Sequence, residues 1–447
     1  MRDALRHPGF RRLFLGRLVT NAGDSLYAIA AMWLVYSLTG SSLYTGIAGF
    51  LTFAPSALQA FAGPLVDRWS LRRTLVATQV VQMLLVLVVP LAHVLDLLSV
   101  WVVLAVMPLL ALLNQFVYPA SNAAVPRLVP KEDLVSANAA MSFAYQGVDL
   151  VFNAAAGVLV ALIGAVALYV VDSVTFLAAV LLFAALRIPG DEPATDEGRP
   201  PDEQSGDAGS AANAAGRTAT PATPDAGRPT TTDGGTTPGV VASYLAELRA
   251  GISYVRGTVV FPIVAAGAVA NFTFGGVLAV LPAFAAARGG PGAYGLLMAT
   301  VAGGILVGAL SASLFDGWGY GRLSIVGFGF GGVVWLAALA TPWLAGTAAL
   351  LALALVPVGV TNVVANAMVQ NVVPEGLLGR VTAVASSLST VMMPVGAVLG
   401  GAAASVVGVV AVMAGGAVGL LFIAAYVAAR PSLRSLPPAS QVETVPA

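Results

Sequence analysis

Long apolar runs separated by short polar or charged breaks dominate the chain. Runs of about 20 apolar residues match the thickness of a bilayer core, because a helix rises about 1.5 Å per residue. The pattern predicts about twelve spans, at 13–38, 44–65, 74–93, 98–124, 136–163, 166–187, 259–287, 295–315, 323–341, 346–371, 381–408 and 410–429. We therefore expect an all-α integral membrane protein.

One polar segment interrupts these runs and predicts the domain organisation. Residues 189–243 are rich in Pro, Gly, Thr, Ala, Asp and Glu, and such a composition predicts a disordered linker. It separates a six-helix half at 1–188 from a second half at 244–430, and 431–447 form a tail. The second half is predicted to begin with a short interfacial helix, Tyr244 to Arg256.

Composition supports a membrane protein and excludes several other classes. The 447 residues are 58% hydrophobic and 9% charged, whereas soluble domains carry about 25% charged residues. A balanced net charge predicts no nucleic-acid partner. The chain has no cysteine, and His7 and His93 lie far apart, so we expect no metal site. The sequence shows no Walker motif, which argues against ATP hydrolysis, and no metal cluster or catalytic triad, so we expect no cofactor and no enzyme activity.

The basic residues predict the orientation. With an uncleaved first span that starts inside, nearly all arginines outside the spans fall on one side, and Arg288 is the exception. The positive-inside rule then places both termini in the cytoplasm of a cell-membrane protein.

An internal repeat supports two similar halves. Segments 122–142 and 366–386 align without a gap, and each joins the fourth and fifth spans of its half. The matched positions are Asn122, Ala123, Val125, Val129, Pro130, Leu134, Ala139 and Ser142 in the first segment, and Asn366, Ala367, Val369, Val373, Pro374, Leu378, Ala383 and Ser386 in the second.

The loop after the second span reads GPLVDRWSLRR, at 63–73. It resembles the loop signature of the major facilitator superfamily, and a weaker copy, ASLFDGWGYGR, follows the eighth span. The resemblance implies that fold, with two six-helix halves, and a conformational latch in these loops. The implied latch residues are Gly63, Asp67, Arg68, Arg72, Arg73, Asp316 and Arg322.

Further segments resemble the macrolide-efflux and enterobactin-exporter branch of the drug:proton antiporters. They are GDSLYAIAAMWLVY, YPASNAAVPRLVP, LVSANA and VPEGLLGRV. This resemblance implies proton-coupled export of drug-like molecules. The fourth span carries Asn114 and Gln115 where such antiporters have an arginine, and the fifth has Phe152-Asn153 in place of a Gly-Pro hinge.

Asp24 and Asp149 are the candidate proton-coupling residues. Asp24 lies about 11 residues into the first span, at a depth of ~16 Å, where a charge is costly and should face the bundle interior. A structural carboxylate paired with Arg17 or with a neighbouring helix is the alternative. Asp149 lies at similar depth in a polar stripe of the fifth span, which predicts either cavity lining or helix–helix contact. Candidate cavity residues are Asn21, Tyr27, Asn114, Tyr145, Gln146, Asn153, Asn271 and Asn362.

These observations favour a secondary transporter that exports small amphipathic compounds in exchange for protons, and we expect it to be a monomer. Uptake or facilitated diffusion of a metabolite is a second hypothesis. A non-transporting membrane sensor or scaffold is a third, from a different class.

Overall fold

The computed structural model describes residues 3–58, 69–189, 258 and 260–438, and the description below concerns these residues. They form helices and turns without a β-strand. The helices are α1 Pro8–Thr39, α2 Ser42–Phe53, α3 Leu71–Val94, α4 Val100–Leu128, α5 Leu134–Ser142, α6 Val148–Ile163, α7 Ala165–Ala184, α8 Val260–Ala286, α9 Pro291–Ser311, α10 Tyr320–Ala340, α11 Leu344–Val372, α12 Glu375–Val407, α13 Val409–Ala429 and α14 Pro431–Arg434.

The helices confirm the predicted fold class. Within the described ranges, nine helices are long and apolar enough to cross a membrane. The remaining predicted spans correspond to α2, to α12, and to α5 with α6, which a π-helical turn at Phe143–Gly147 joins. The predicted linker and interfacial helix lie outside the described residues, apart from 189, so their boundaries remain predictions.

Two glycines divide the long apolar stretches 136–187 and 381–429, in which few polar residues separate consecutive spans. Gly164, with φ of 84°, ends α6, and Gly408, with φ of 87°, ends α12. A positive φ is readily accessible to glycine and costly for residues with a side chain. The chain can therefore reverse at these points without polar residues, and α7 and α13 begin at the next residue.

The helix pairs repeat between the two halves. The first and sixth spans of each half pack together, as α1 with α7 and α8 with α13, and α3 with α7 repeats as α10 with α13. Between the halves, α2 packs on α12 and α6 packs on α9. This matching set of pairs is a pseudo-two-fold arrangement of two similar bundles.

The internal repeat in the sequence marks equivalent helix ends. Val129 ends α4 in an extended conformation and Pro130 follows, while Val373 ends α11 in the same way and Pro374 precedes α12. Proline disfavours helical backbone in the residue before it, which accounts for the break at the same position in both halves.

The two halves meet closely at one end of the bundle. We call the end at which α1 begins the N-side and the opposite end the far side. Near the far side the backbones of Gly157 in α6 and Gly295 in α9 touch, and Gly46 in α2 lies against Gly401 in α12. Small residues let helices approach to backbone contact in a membrane. The far side is therefore sealed by packing between the halves.

Candidate functional site: a central cavity

A cavity of about 280 Å³ lies between the two halves. Seven helices of the two bundles contribute to its wall, namely α1, α2, α4, α6, α8, α9 and α12. Its lining residues are Asp24, Ser25, Tyr27, Ala28, Ile29, Met32, Gly49, Thr52, Phe53, Met107, Asn153, Gly275, Leu278, Ala279, Tyr294, Met298 and Ala397. The wall is mostly apolar with a few polar groups, which is the usual character of a site for a small organic molecule.

Asp24 is the acidic group of this cavity. It lies midway along α1, is half-buried, and shares the cavity wall with Tyr27 and Ala28. Asn153 of α6 adds an amide to the same wall. Three methionines, Met32, Met107 and Met298, add flexible thioethers that adapt to different apolar shapes. The cavity thus combines one carboxyl group with adaptable apolar walls.

Asn21 and Tyr145 belong to a cluster around Arg17, on the N-side of the cavity. The Arg17 guanidinium donates to Asn21 Oδ1 at 2.8 Å and lies 5.0 Å from the centre of the Tyr145 ring. Asn21 Nδ2 donates to the carbonyl oxygen of Ala144, in the π-helical turn, at 2.7 Å. These bonds tie α1 to the fifth span. Helix–helix contact is one of the two roles that the polar stripe of the fifth span predicts.

Asn114 lies in a chain of amides between α3 and α4. Gln79 Nε2 donates to Gln82 Oε1 at 2.9 Å, and Gln82 Nε2 donates to Asn114 Oδ1 at 3.0 Å. Both glutamines are fully buried. Asn114, the central polar residue of the fourth span, therefore joins two helices of the first half, which differs from the predicted role in the cavity wall.

Asn271 and Asn362 line a different cavity, of about 210 Å³, within the second half. Asn271 Nδ2 donates to the carbonyl of Gly267 on its own helix at 3.0 Å. Trp335 lines the same space, and its buried Nε1 has no hydrogen-bond partner. Of the predicted cavity residues, Tyr27 and Asn153 line the central cavity, and Asn271 and Asn362 line this second space. Asn21, Tyr145 and Asn114 instead make contacts between helices.

The side chains of Gln146 and Asp149 lie outside the described part of the chain, and so do Gly63, Asp67 and Arg68. The roles predicted for these five residues remain predictions.

Two arginines of the first latch motif open α3. Ser70 caps this helix by accepting from the backbone N–H of Arg73, and Arg72 donates to the carbonyl of Ala184 at 2.6 Å. Arg12 makes the equivalent contact with Ala185. Both cations thus bind free carbonyls at the end of α7, where the helix dipole favours positive charge.

The weaker second copy of the motif packs against the C-terminal segment. Arg322 lies 4.3 Å from the ring centre of Trp318, and Asp316 follows a short 3₁₀ turn. A Cβ atom on Gly321 would collide with the backbone of Leu433 and Arg434. Glycine at a position that is basic in the first copy therefore makes room for this segment.

Arg288, the exception to the charge pattern, is held by the second half. Its guanidinium donates to Thr347 Oγ1 at 2.6 Å and to the Leu339 carbonyl at 3.2 Å. Desolvation lowers the pKa of Arg288 from its ordinary value, although arginine stays protonated in proteins. The residue ties the end of α8 to the end of α10 and the start of α11, which explains an arginine on the far side.

The chain matches the model of the Major Facilitator Superfamily over residues 13–397. It belongs to the major facilitator superfamily. Membership of this family, together with the helical bundle, makes the protein a multi-pass membrane transporter of small molecules and not an enzyme.

A curated relative, the uncharacterized MFS-type transporter YvqJ of Bacillus subtilis (strain 168), is 28% identical over 183 residues, which are 40% of this chain and 42% of the relative. The match thus spans less than half of that relative.

Solved structures of several transporters share the fold over nearly the whole chain. An inward-facing bacterial homologue of the lysosomal transporter Spinster has a TM-score of 0.64 at 14% identity, covering 94% of this chain and 95% of its own. A bacterial homologue of the iron transporter ferroportin has a TM-score of 0.63 at 15% identity, covering 94% and 98%. The nucleoside transporter NupG has a TM-score of 0.64 at 13% identity, covering 94% and 99%. Two of these names state a cargo, iron in one case and nucleosides in the other, so the shared fold does not specify a cargo.

Proposed function

We propose that this protein exports small amphipathic compounds from the cytoplasm in exchange for protons, by alternating access to the central cavity. The observation that carries the proposal is the half-buried carboxyl group of Asp24 in an otherwise largely apolar cavity between the halves. The N-side is the cytoplasmic side in this proposal, in keeping with the arginines there.

The cavity chemistry favours amphipathic cargo. A sugar or a phosphate would need several polar or basic partners, because a binding site must satisfy the polar groups that it desolvates. The described lining offers one carboxyl, one amide and a few hydroxyl groups among apolar and methionine side chains. A molecule with one apolar body and one basic or neutral polar end suits this lining better.

Proton coupling follows from the position of Asp24. An ionised carboxylate inside the bundle is costly unless a cation or water accompanies it. Binding of a cationic cargo beside Asp24 favours its ionised form and releases a proton. After release of the cargo, reprotonation of Asp24 lowers the cost of returning the empty cavity to the other side.

Transport in proteoliposomes tests the proposal. The purified full-length protein is reconstituted, a pH gradient is imposed, and movement of ethidium and of a neutral macrolide is followed. Exchange of one proton per molecule sustains about a tenfold accumulation for a gradient of about one pH unit, because one pH unit corresponds to about 1.4 kcal/mol. We expect accumulation of at least one of these probes on the acidic side.

The variant Asp24→Asn keeps the size of the side chain and removes its ability to ionise. We expect it to lose accumulation against a gradient while it still allows downhill exchange. Asp96→Asn is the matched control, because Asp96 lies in an exposed loop and its positive φ of 58° is one that asparagine tolerates. Wild-type accumulation by Asp24→Asn would show that Asp24 does not couple transport to protons.

A further inference from the structure

A second carboxyl group, that of Asp172, is buried between α7 and α1 next to Asp24. Asp172 of α7 is fully buried, and its carboxyl packs against the backbone of Gly23, the neighbour of Asp24. A Cβ atom at position 23 would collide with Asp172 Oδ1 and with Thr175 Oγ1. Only a residue without a side chain leaves room for this carboxyl against α1.

The surroundings of Asp172 satisfy only part of its hydrogen-bonding capacity. Thr175 Oγ1 donates to Asp172 Oδ1 at 3.1 Å, while the buried Oδ2 has no partner. The nearby tyrosine rings, Tyr27 and Tyr169, meet edge to face with their centres 5.3 Å apart, and both hydroxyl groups are buried without a partner. Three polar atoms are thus unsatisfied in one small region between α1 and α7.

Among the described residues, the helices that pack on α7 bring no cation to Asp172. From α1 it faces Asp24 and Tyr27, while Arg17 lies farther towards the N-side with bonds to Thr20 and Asn21. The charged or titratable residues of α3 lie at its ends, namely Arg72, Arg73 and His93. The fifth span contributes Asp149, whose side chain is outside the description. An unpaired carboxylate buried in this way costs several kcal/mol, so the neutral acid is the favoured form.

We propose that Asp172 is a proton-binding residue of this transporter, connected to the central cavity through Asp24 and Tyr27. This inference rests on the proposed proton-coupled function and adds a second carboxyl to it. Tyr27 bridges the two regions, because its ring lines the cavity and also packs on Tyr169. After the cargo has left and while Asp24 is ionised, the proton on Asp172 transfers to the Asp24 carboxylate and leaves from there to water in the cavity. Asp172 is then transiently in its costly ionised form. A proton that returns by the same route restores the neutral acid.

Infrared difference spectroscopy of the purified full-length protein, between acidic and alkaline buffer, tests the protonation of Asp172. A protonated carboxyl has a C=O stretching band that shifts in D₂O. We expect a buried-acid band in the wild type that Asp172→Asn removes and Asp96→Asn retains. An unchanged band in Asp172→Asn would overturn the proposal. Loss of the band on addition of sodium chloride would also overturn it, by assigning the site to a metal cation.

A second variant covers the case in which Asp172→Asn fails to fold. Thr175→Val keeps the carboxyl and removes its hydrogen-bond donor, so the band of Asp172 should change frequency. A band at the wild-type frequency in Thr175→Val would mean that the acid observed is not Asp172, which contradicts the proposal.

Transport separates this inference from the proposed function. In proteoliposomes with a pH gradient, we expect Asp172→Asn to lose accumulation of the probe that the wild type moves and to keep downhill exchange. If Asp24→Asn loses accumulation while Asp172→Asn keeps it, the role of Asp172 fails and the proposed function stands. If the wild type couples neither ethidium nor the macrolide to protons, the proposed function fails, and the infrared band alone decides whether Asp172 holds a proton.

Discussion

Gly157 and Gly295 set how closely the two halves approach at the far side. Their backbones touch, so any side chain at either position must push α6 and α9 apart. Overpacking a close contact typically costs about 1–3 kcal/mol. A cost of this size is comparable with the free energies that separate conformations of a carrier, so one methyl group at this crossing should change which state predominates.

We expect Gly295→Ala to shift the population away from the state that is closed at the far side, by about 5- to 150-fold for a cost of 1–3 kcal/mol. The chain has no cysteine, so spin labels on Leu97→Cys and Trp343→Cys, both exposed in far-side loops, report the separation of the halves. Gly303→Ala is the matched control, because it lies on the same helix and its Cβ would meet open space. Equal distance distributions in Gly295→Ala and the control would contradict this role.

For single residues, the sequence predicts the environment correctly where the depth of the residue in its span alone determines that environment. Counting residues along the first span placed Asp24 inside the bundle, and it lines the central cavity. By the same counting, Asp172 lies near the outer end of the sixth span, where depth alone predicts that it reaches water, although the structure buries it completely. Its burial depends on the missing side chain of Gly23 on another helix, and one sequence does not show which glycine faces which carboxyl.

At the scale of helices, the amide chain from Gln79 through Gln82 to Asn114 joins α3 and α4. The variant Gln82→Leu leaves the Asn114 carbonyl and the Gln79 amide without their partner, at a cost of about 0.6–2 kcal/mol for an interhelical bond in a membrane. We expect a lower unfolding temperature in detergent. Gln115→Leu should have a smaller effect, since Gln115 bonds the carbonyl of Ala111 on its own helix at 3.1 Å. An equal loss in both variants would argue against the interhelical tie.

Helix positions were largely predictable, because a bilayer forces each span to satisfy its own backbone with a continuous apolar segment. The π-helical turn at Phe143–Gly147 was not predictable, since periodicity treats the fifth span as one regular helix. The turn provides the Ala144 carbonyl that accepts from Asn21, so the polar stripe that suggested a cavity wall is partly a contact between helices.

For the whole molecule, the proposed orientation makes a direct prediction about sidedness. A membrane-impermeant maleimide added to intact cells should label Leu97→Cys, in a far-side loop, and should not label Glu132→Cys, which is exposed on the N-side. Permeabilised cells should be labelled at both positions, which controls for access to the thiol. The opposite pattern in intact cells would reverse the orientation and turn the proposed exporter into an importer.

The central cavity draws its chemistry unequally from the two bundles. The first half provides the carboxyl, the amide and most of the hydroxyl groups, whereas the second half provides Tyr294 and otherwise glycine, alanine, leucine and methionine. Substitutions that change the cargo can therefore arise in the second half, while substitutions that change the proposed coupling to protons would arise in the first half. Substitutions at Leu278 or Met298 can reshape the pocket while leaving the proposed proton exchange at Asp24 intact, so new specificities are within reach of single mutations in the second half.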